Sequence, residues 1–185
     1  MKDRIIALLK ETNRKGIEDL ITVMELGGFF YAPCSGQYHL AREGGLAEHS
    51  LNVCEQMLEV NKALKTNIPR DSIIICGILH DLGKMGDYGK PNYNENILKS
   101  GEISTSKPYV TNPALSYVPH EVRSIAITQR HIPLTEDEEF AILYHNGLYT
   151  ALGNSYKGKE TPLSLIMHFA DMWCSRVVES EEEDG

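Results

Sequence analysis

A chain of 185 residues, 42% of them hydrophobic, reads as one domain with enough apolar side chains for a core. Its net charge of −8 is concentrated at the end, where Glu179 to Asp184 hold five of the 26 acids. The body that remains, 21 acids against 18 bases, has no broad electrostatic grip on duplex nucleic acid. No apolar run approaches a membrane span: the longest, Ile73 to Leu79, is interrupted by Cys76 and Gly77 and stops at His80. Met1-Lys2-Asp3-Arg4 leads into a short apolar stretch without a small-residue cleavage site, so a cytoplasmic protein without signal peptide or membrane anchor is expected. Cys34, Cys54, Cys76 and Cys174 form no CxxC pair, which argues against a zinc ribbon or a thioredoxin-like site and leaves them as small buried hydrophobes.

Apolar residues at helical spacing predict helices over 3–11 (Ile5, Leu8, Leu9) and 17–26 (Ile17, Leu20, Ile21, Met24), the second stopped by Gly27-Gly28. Residues 29–43 read as irregular, with Pro33, Ser35 and Gly36. A long helix is predicted from Leu46 to Leu64. Another starts near Pro69-Arg70-Asp71, carries Ile73 to His80 and is ended by Gly83 and Gly86. Residues 86–117 are rich in Gly, Pro and Asn and read as a long lid or binding loop with a β-hairpin around Asn96–Gly101. Pro119 suits the first turn of a helix to Gln129. Thr135-x-x-Glu138 is a capping box for a helix to Leu148, and Thr161-Pro162 is an N-cap and N1 pair for a last helix to Val178. The expectation is an all-α bundle of six to seven helices: residues 1–28 as N-terminal helices packed on the same domain, 29–178 as the functional domain, and 179–185 as a frayed acidic tail.

The strongest chemical signal is His80-Asp81 closing an apolar helix and followed by Leu82-Gly83-Lys84. A neutral imidazole nitrogen beside a carboxylate oxygen suits a borderline-to-hard divalent ion. Taken alone, the pair reads as readily as a helix terminus, with His capping carbonyls and Asp facing water. Three further intrusions shift the balance. His49 falls on the apolar stripe of Val53, Met57 and Val60. Asp171 falls on that of Met167, Ala170, Cys174 and Val178, where it needs a metal or a partner such as Arg176 or Arg123. His145 shares a face with Ala141, Ile142 and Leu148.

His49, His80-Asp81 and Asp171 in this order resemble the H…HD…D signature of the HD superfamily of metal-dependent phosphohydrolases. Gly44-Gly45-Leu46-Ala47-Glu48-His49-Ser50 resembles the GGLxEHS segment of one branch, and Ile78-Leu79-His80-Asp81-Leu82-Gly83-Lys84 its LLHDxGK segment. His145-Asn146-Gly147 resembles its HHG turn, and His168-Phe169-Ala170-Asp171 its HxAD segment. The branch is common in bacterial and phage genomes and is similar to the catalytic domain of HD-type 3′–5′ exoribonucleases. The resemblance implies a helical HD-domain bundle in which His49, His80, Asp81 and Asp171 hold one divalent ion. His120 and His145 would add a second, with Asp81 bridging; His131 and His39 are rivals of His120. Asn146 stands where many binuclear relatives have another His, and Gly45 where three-metal members have a carboxylate, so at most two ions are expected. The ligand types admit Mn, Fe, Co, Ni or Zn.

The implied reaction is hydrolysis of a phosphomonoester or phosphodiester of a nucleotide or short oligonucleotide, with Asp81 and Lys84 catalytic. Lys84, His39, Arg123 and Tyr88 are candidate substrate contacts. Lys84 reads equally as an exposed lysine by a glycine turn, and Tyr88 as a loop residue covering the core. Two alternatives share the ligand pattern: an HD-type di-iron oxygenase and a non-catalytic nucleotide-binding protein. The expected partner is a small phosphorylated molecule or a short single strand of nucleic acid, with oligomerisation left open.

Overall fold

The computed structural model describes residues 1–180. Two short amphipathic helices open it, α1 (Lys2–Glu11) and α2 (Ile17–Leu26). Their apolar faces, including Leu8, Leu9, Leu20 and Met24, enter the same core as Leu46, Cys54, Ile75 and Leu79 from the next two helices. Those are α3 (Gly45–Leu64) and α4 (Arg70–Leu79). Every residue of α4 from Ser72 to Leu79 is buried, so this helix is apolar all round, as the continuous run in its sequence requires. A short 3-10 turn, Leu82–Met85, follows His80 and Asp81 and redirects the chain.

The segment after this turn is an ordered flap. Strands β1 (Tyr93–Glu95) and β2 (Tyr109–Thr111) pair antiparallel with Asn94 opposite Val110, and an isolated bridge joins Ile97 to Ile103 farther along the arm. The hairpin is therefore larger than the one expected at Asn96–Gly101. The flap is fastened at several points: Tyr109 N donates to Gly36 O, Lys90 Nζ to Ala114 O, and Arg130 to Asp87.

Helices α5 (His120–Gln129), α6 (Glu136–Leu143) and α7 (Pro162–Trp173) complete an all-α bundle of seven helices among the described residues. Pro119 is the N-cap of α5 rather than its first helical residue. Both capping boxes form. Thr135 accepts from Glu138 N, and Thr161 accepts from Ser164 N with Pro162 at the first helical position. α6 ends at Leu143, short of the expected Leu148. α7 gives way at Cys174 to a π turn, Cys174–Val178. α3 is central: one side belongs to the first core, and Val53 and Met57 on another join Ile73, Ile142, Leu163 and Met167 in a second. No helix among the described residues is long and apolar enough to cross a membrane.

Candidate metal centre

The seam between the two cores is polar. α3 contributes His49, the end of α4 contributes His80 and Asp81, the first residue of α5 is His120, and α7 contributes Asp171. His49, His80, Asp81 and His145 are fully buried or nearly so. His145 lies past the end of α6, in the turn leading to Gly147, not on the helix face that the sequence suggested. Its ring is aimed by hydrogen bonds on both sides of the turn: His145 Nδ1 donates to Ile142 O at 2.8 Å, and His168 Nδ1 donates to His145 O at 2.8 Å. His168 thus supports the turn from α7. The 3-10 turn after Asp81 is locked to α5 by Ser124, whose hydroxyl accepts from Gly83 N at 2.8 Å and donates to His120 O at 2.8 Å. A Cβ on Gly83 would lie 2.3 Å from His120 O, so only glycine permits this approach.

The six side chains converge in two halves joined by Asp81. In one half His49 Nε2 lies 3.3 Å from His80 Nε2 and 3.1 Å from Asp171 Oδ1, with Asp81 Oδ2 at 3.6 Å from His49 and 3.4 Å from His80. In the other, His120 Nε2 and His145 Nε2 are 3.2 Å apart, and Asp81 Oδ1 lies 3.2 Å and 3.6 Å from them. Asn146 Nδ2 stands 3.0 Å from His145 Nε2 and 3.4 Å from His120 Nε2. Lys84 Nζ donates to Asp81 Oδ2 at 2.6 Å.

Divalent-cation binding fits this arrangement on three grounds. The Nδ1 atoms of His80 and His145 donate to backbone carbonyls, Gly77 O and Ile142 O, which fixes the tautomer and leaves the Nε2 lone pair facing inward. Asp81 Oδ1 is buried and makes no hydrogen bond, although two imidazole nitrogens are near it. Finally, two nitrogens each about 2.1 Å from one ion, at right or tetrahedral angles, sit about 3.0–3.4 Å apart, and the Nε2 pairs have that spacing. His49, His80 and Asp171 offer ligand atoms all within 4.8 Å of one another, and so do His80, Asp81 and His145.

The charges agree. Burial opposes the ionised form of Asp81, but the Lys84 ammonium beside it outweighs that cost and holds its pKa well below the usual carboxylate value. Asp171, partly buried, is likewise lowered, by its hydrogen bond to His49. Burial would lower Lys84, and the Asp81 charge raises it instead. His145 is pushed down to about 3 by burial and by the neighbouring His80, so it stays neutral. Burial also works against the charged form of His49, yet the field of Cys34 and the hydrogen bonds to Asp171 and Glu179 lift it well above the usual imidazole value. Burial raises the Cys34 thiol itself, which is uncharged at neutral pH, so there the hydrogen bonds to Asp171 and Glu179 rather than Cys34 keep His49 raised.

Among the expected substrate contacts, Lys84 and His39 are brought to the centre and Arg123 and Tyr88 are not. His39 Nε2 lies 3.3 Å from Cys34 Sγ, and its ring is 5.1 Å from that of His49. Arg123 is buried, with Nη2 donating to Ser116 O and Nη1 3.9 Å from Asp87, so its guanidinium fastens the flap. Tyr88 is exposed with the Arg130 guanidinium over its ring. Two residues beside the centre escaped the sequence reading. Cys34 stands 3.9 Å from Lys84 Nζ. Glu179, assigned to the frayed tail, is buried against His49; residues 181–185 of that tail lie outside the described residues.

A cavity of about 500 Å³, lined by Tyr93, Leu115, Tyr117, Pro119 and Leu152, opens onto the partly exposed His120. Another, of about 550 Å³, reaches His39 and Glu179 past Tyr38 and Arg42.

The family model described as the HD domain matches residues 46–172, a span that holds all six converging side chains. Neither the curated proteins nor the solved structures compared with the chain include a match to it.

Proposed function

Because the chain belongs to the HD-domain family of metal-dependent phosphohydrolases, we propose that it hydrolyses a phosphate ester of a nucleotide or short oligonucleotide at a centre of two divalent ions. His49, His80, Asp81 and Asp171 would hold one ion and His120, His145 and Asp81 the other. The observation that carries this reading is the division of the Asp81 carboxylate between the two halves, one oxygen to each, with four imidazole Nε2 atoms around it. Ions held there supply Lewis acidity, which lowers the pKa of water toward neutrality and offsets charge on phosphoryl oxygens.

The chain's own residues do the rest. The carbonyls of Gly77 and Ile142 keep two imidazoles in the ligating tautomer. Lys84 brings a partly buried positive charge to the edge of the centre, where it balances Asp81 and stands ready for a phosphoryl oxygen. The buried surroundings strengthen these interactions by excluding water. The cavity at His120 supplies aromatic and apolar walls suited to a nucleobase, beside the half of the centre that solvent reaches.

The test is a screen of purified protein reconstituted with manganese, cobalt or nickel. Its substrates are nucleoside monophosphates, cyclic nucleotides, dinucleotides and short RNA, and its controls are His80→Ala and Asp171→Ala. Release of phosphate or nucleotide by the parent chain, lost in both variants, supports the reading. Hydrolysis that survives both substitutions contradicts it. So does iron-dependent oxygen consumption on an organic substrate without hydrolysis, which is the outcome expected of a di-iron oxygenase.

A further inference from the structure

Glu179 stands just beyond the π turn that continues α7, and its backbone N–H donates to Cys174 O, five residues back, at 2.9 Å. The wide turn determines where its side chain lands. At about 100° per residue, a position eight beyond Asp171 in an unbroken α-helix lies about 80° around the axis; one extra residue in the turn brings it to within about 20° of Asp171. The π turn thus delivers Glu179 to the side of α7 that faces His49.

Glu179 is 8% exposed although Val177 and Val178 before it are open to solvent. Burying a carboxylate is costly unless it is paired, and the partners here are specific. Its oxygens lie 3.1 and 2.9 Å from His49 Nδ1, and Asn52 Nδ2 donates to Oε1 at 3.0 Å. The other nitrogen of the same ring, Nε2, faces Asp171, His80 and Asp81. One imidazole therefore connects Glu179 directly to the centre, and the only other ring beside its carboxylate among the described residues is that of His39, whose Nε2 is 3.9 Å from Oε2.

We propose that Glu179 is a positioning residue of the metal centre: its carboxylate accepts the His49 Nδ1 proton, fixes the tautomer and angle of the ring, and makes Nε2 a better donor to a cation. This role rests on the reading of the centre as a metal site. It makes the turn after α7 a determinant of metal affinity.

The test compares the parent chain with Glu179→Ala and Glu179→Gln by titration with cobalt(II). The readouts are calorimetric affinity and the ligand-field absorption bands, with circular dichroism of the metal-free proteins as the check on folding. The alanine variant is expected to bind roughly 10- to 100-fold more weakly, with displaced bands. Glutamine keeps an acceptor but no charge, so it is expected to fall between the two. Parent-like affinity and spectrum in both variants would overturn the role, as would a parent-like glutamine variant if the alanine variant does not fold. A parent chain that binds no cobalt at all is a different failure, because it removes the metal reading itself and the role of Glu179 with it.

Discussion

Gly77 offers a test of how tightly the centre depends on helix packing. It lies on α4 where that helix crosses α3, and a Cβ built on it would stand 2.6 Å from Cys54 Cα and 2.8 Å from Cys54 Cβ. Ordinary contact begins at 3.4 Å, so Gly77→Ala must open the crossing by about 0.8 Å, and no side-chain rotation relieves a clash with backbone. Helix propensity works in the opposite direction, favouring alanine by about 1 kcal/mol. Overpacking of this kind costs about 1–3 kcal/mol, and with main chain as the obstacle the clash is expected to win. Net of the propensity gain, up to about 2 kcal/mol remains, so the melting temperature of the metal-free protein should fall by up to about 8 °C for a chain of this length. The same opening separates His49 on α3 from His80 after α4. Their Nε2 atoms, now 3.3 Å apart, would move beyond the spacing of about 3.4 Å that two ligands of one ion allow, and cobalt affinity should weaken along with stability. Thermal unfolding by circular dichroism and a cobalt titration read the two effects. An alanine variant that melts at or above the parent temperature and binds cobalt equally well would refute the reasoning.

Other consequences are equally specific. His120→Ala and His145→Ala should reduce the bound metal from two ions per chain to one, measured by elemental analysis after dialysis, whereas Asp81→Ala should reduce it further because both halves lose a ligand. His49 has a pKa held well above the usual imidazole value without metal, so it carries a proton at neutral pH that an ion at Nε2 must displace. Calorimetry in buffers of different ionisation enthalpy should therefore show proton release on metal binding at pH 7, and proton uptake would contradict the assignment. Arg14 joins Asp71 at 2.8 Å to the fully buried Glu138 at 3.1 Å. Arg14→Ala should cost about 3–5 kcal/mol in chemical denaturation, since it leaves a buried carboxylate unpaired; a loss under 1 kcal/mol would show that water reaches Glu138.

Much of this was legible in the sequence because the signals are local. The capping boxes at Thr135 and Thr161 form as read, since each needs only residues three apart. His80-Asp81 after an apolar run announced a buried polar corner, and polar residues on the stripes of α3 and α7 announced what would meet it. What escaped depends on geometry that periodicity does not carry. His145 reaches the cluster from a turn because α6 stops at Leu143, and the stripe logic that picks it out assumes a longer helix. Glu179 was hidden by company: it opens an acidic run, and composition alone assigns such a run to solvent. Only a π turn after Trp173 brings it to His49, and no residue pattern in Cys174–Val178 signals that turn. Arg123 is engaged elsewhere than the sequence suggests, for a related reason. It is a candidate phosphate contact by residue type, but the flap packs over it and takes its donors at Ser116 and Asp87.

The centre itself is tested most directly by anomalous diffraction from crystals grown with manganese. Two peaks are expected on opposite sides of the Asp81 carboxylate, one among His49, His80 and Asp171, the other beside His120 and His145. No peak at Asp81, or density only at sites away from it, would contradict a two-ion centre.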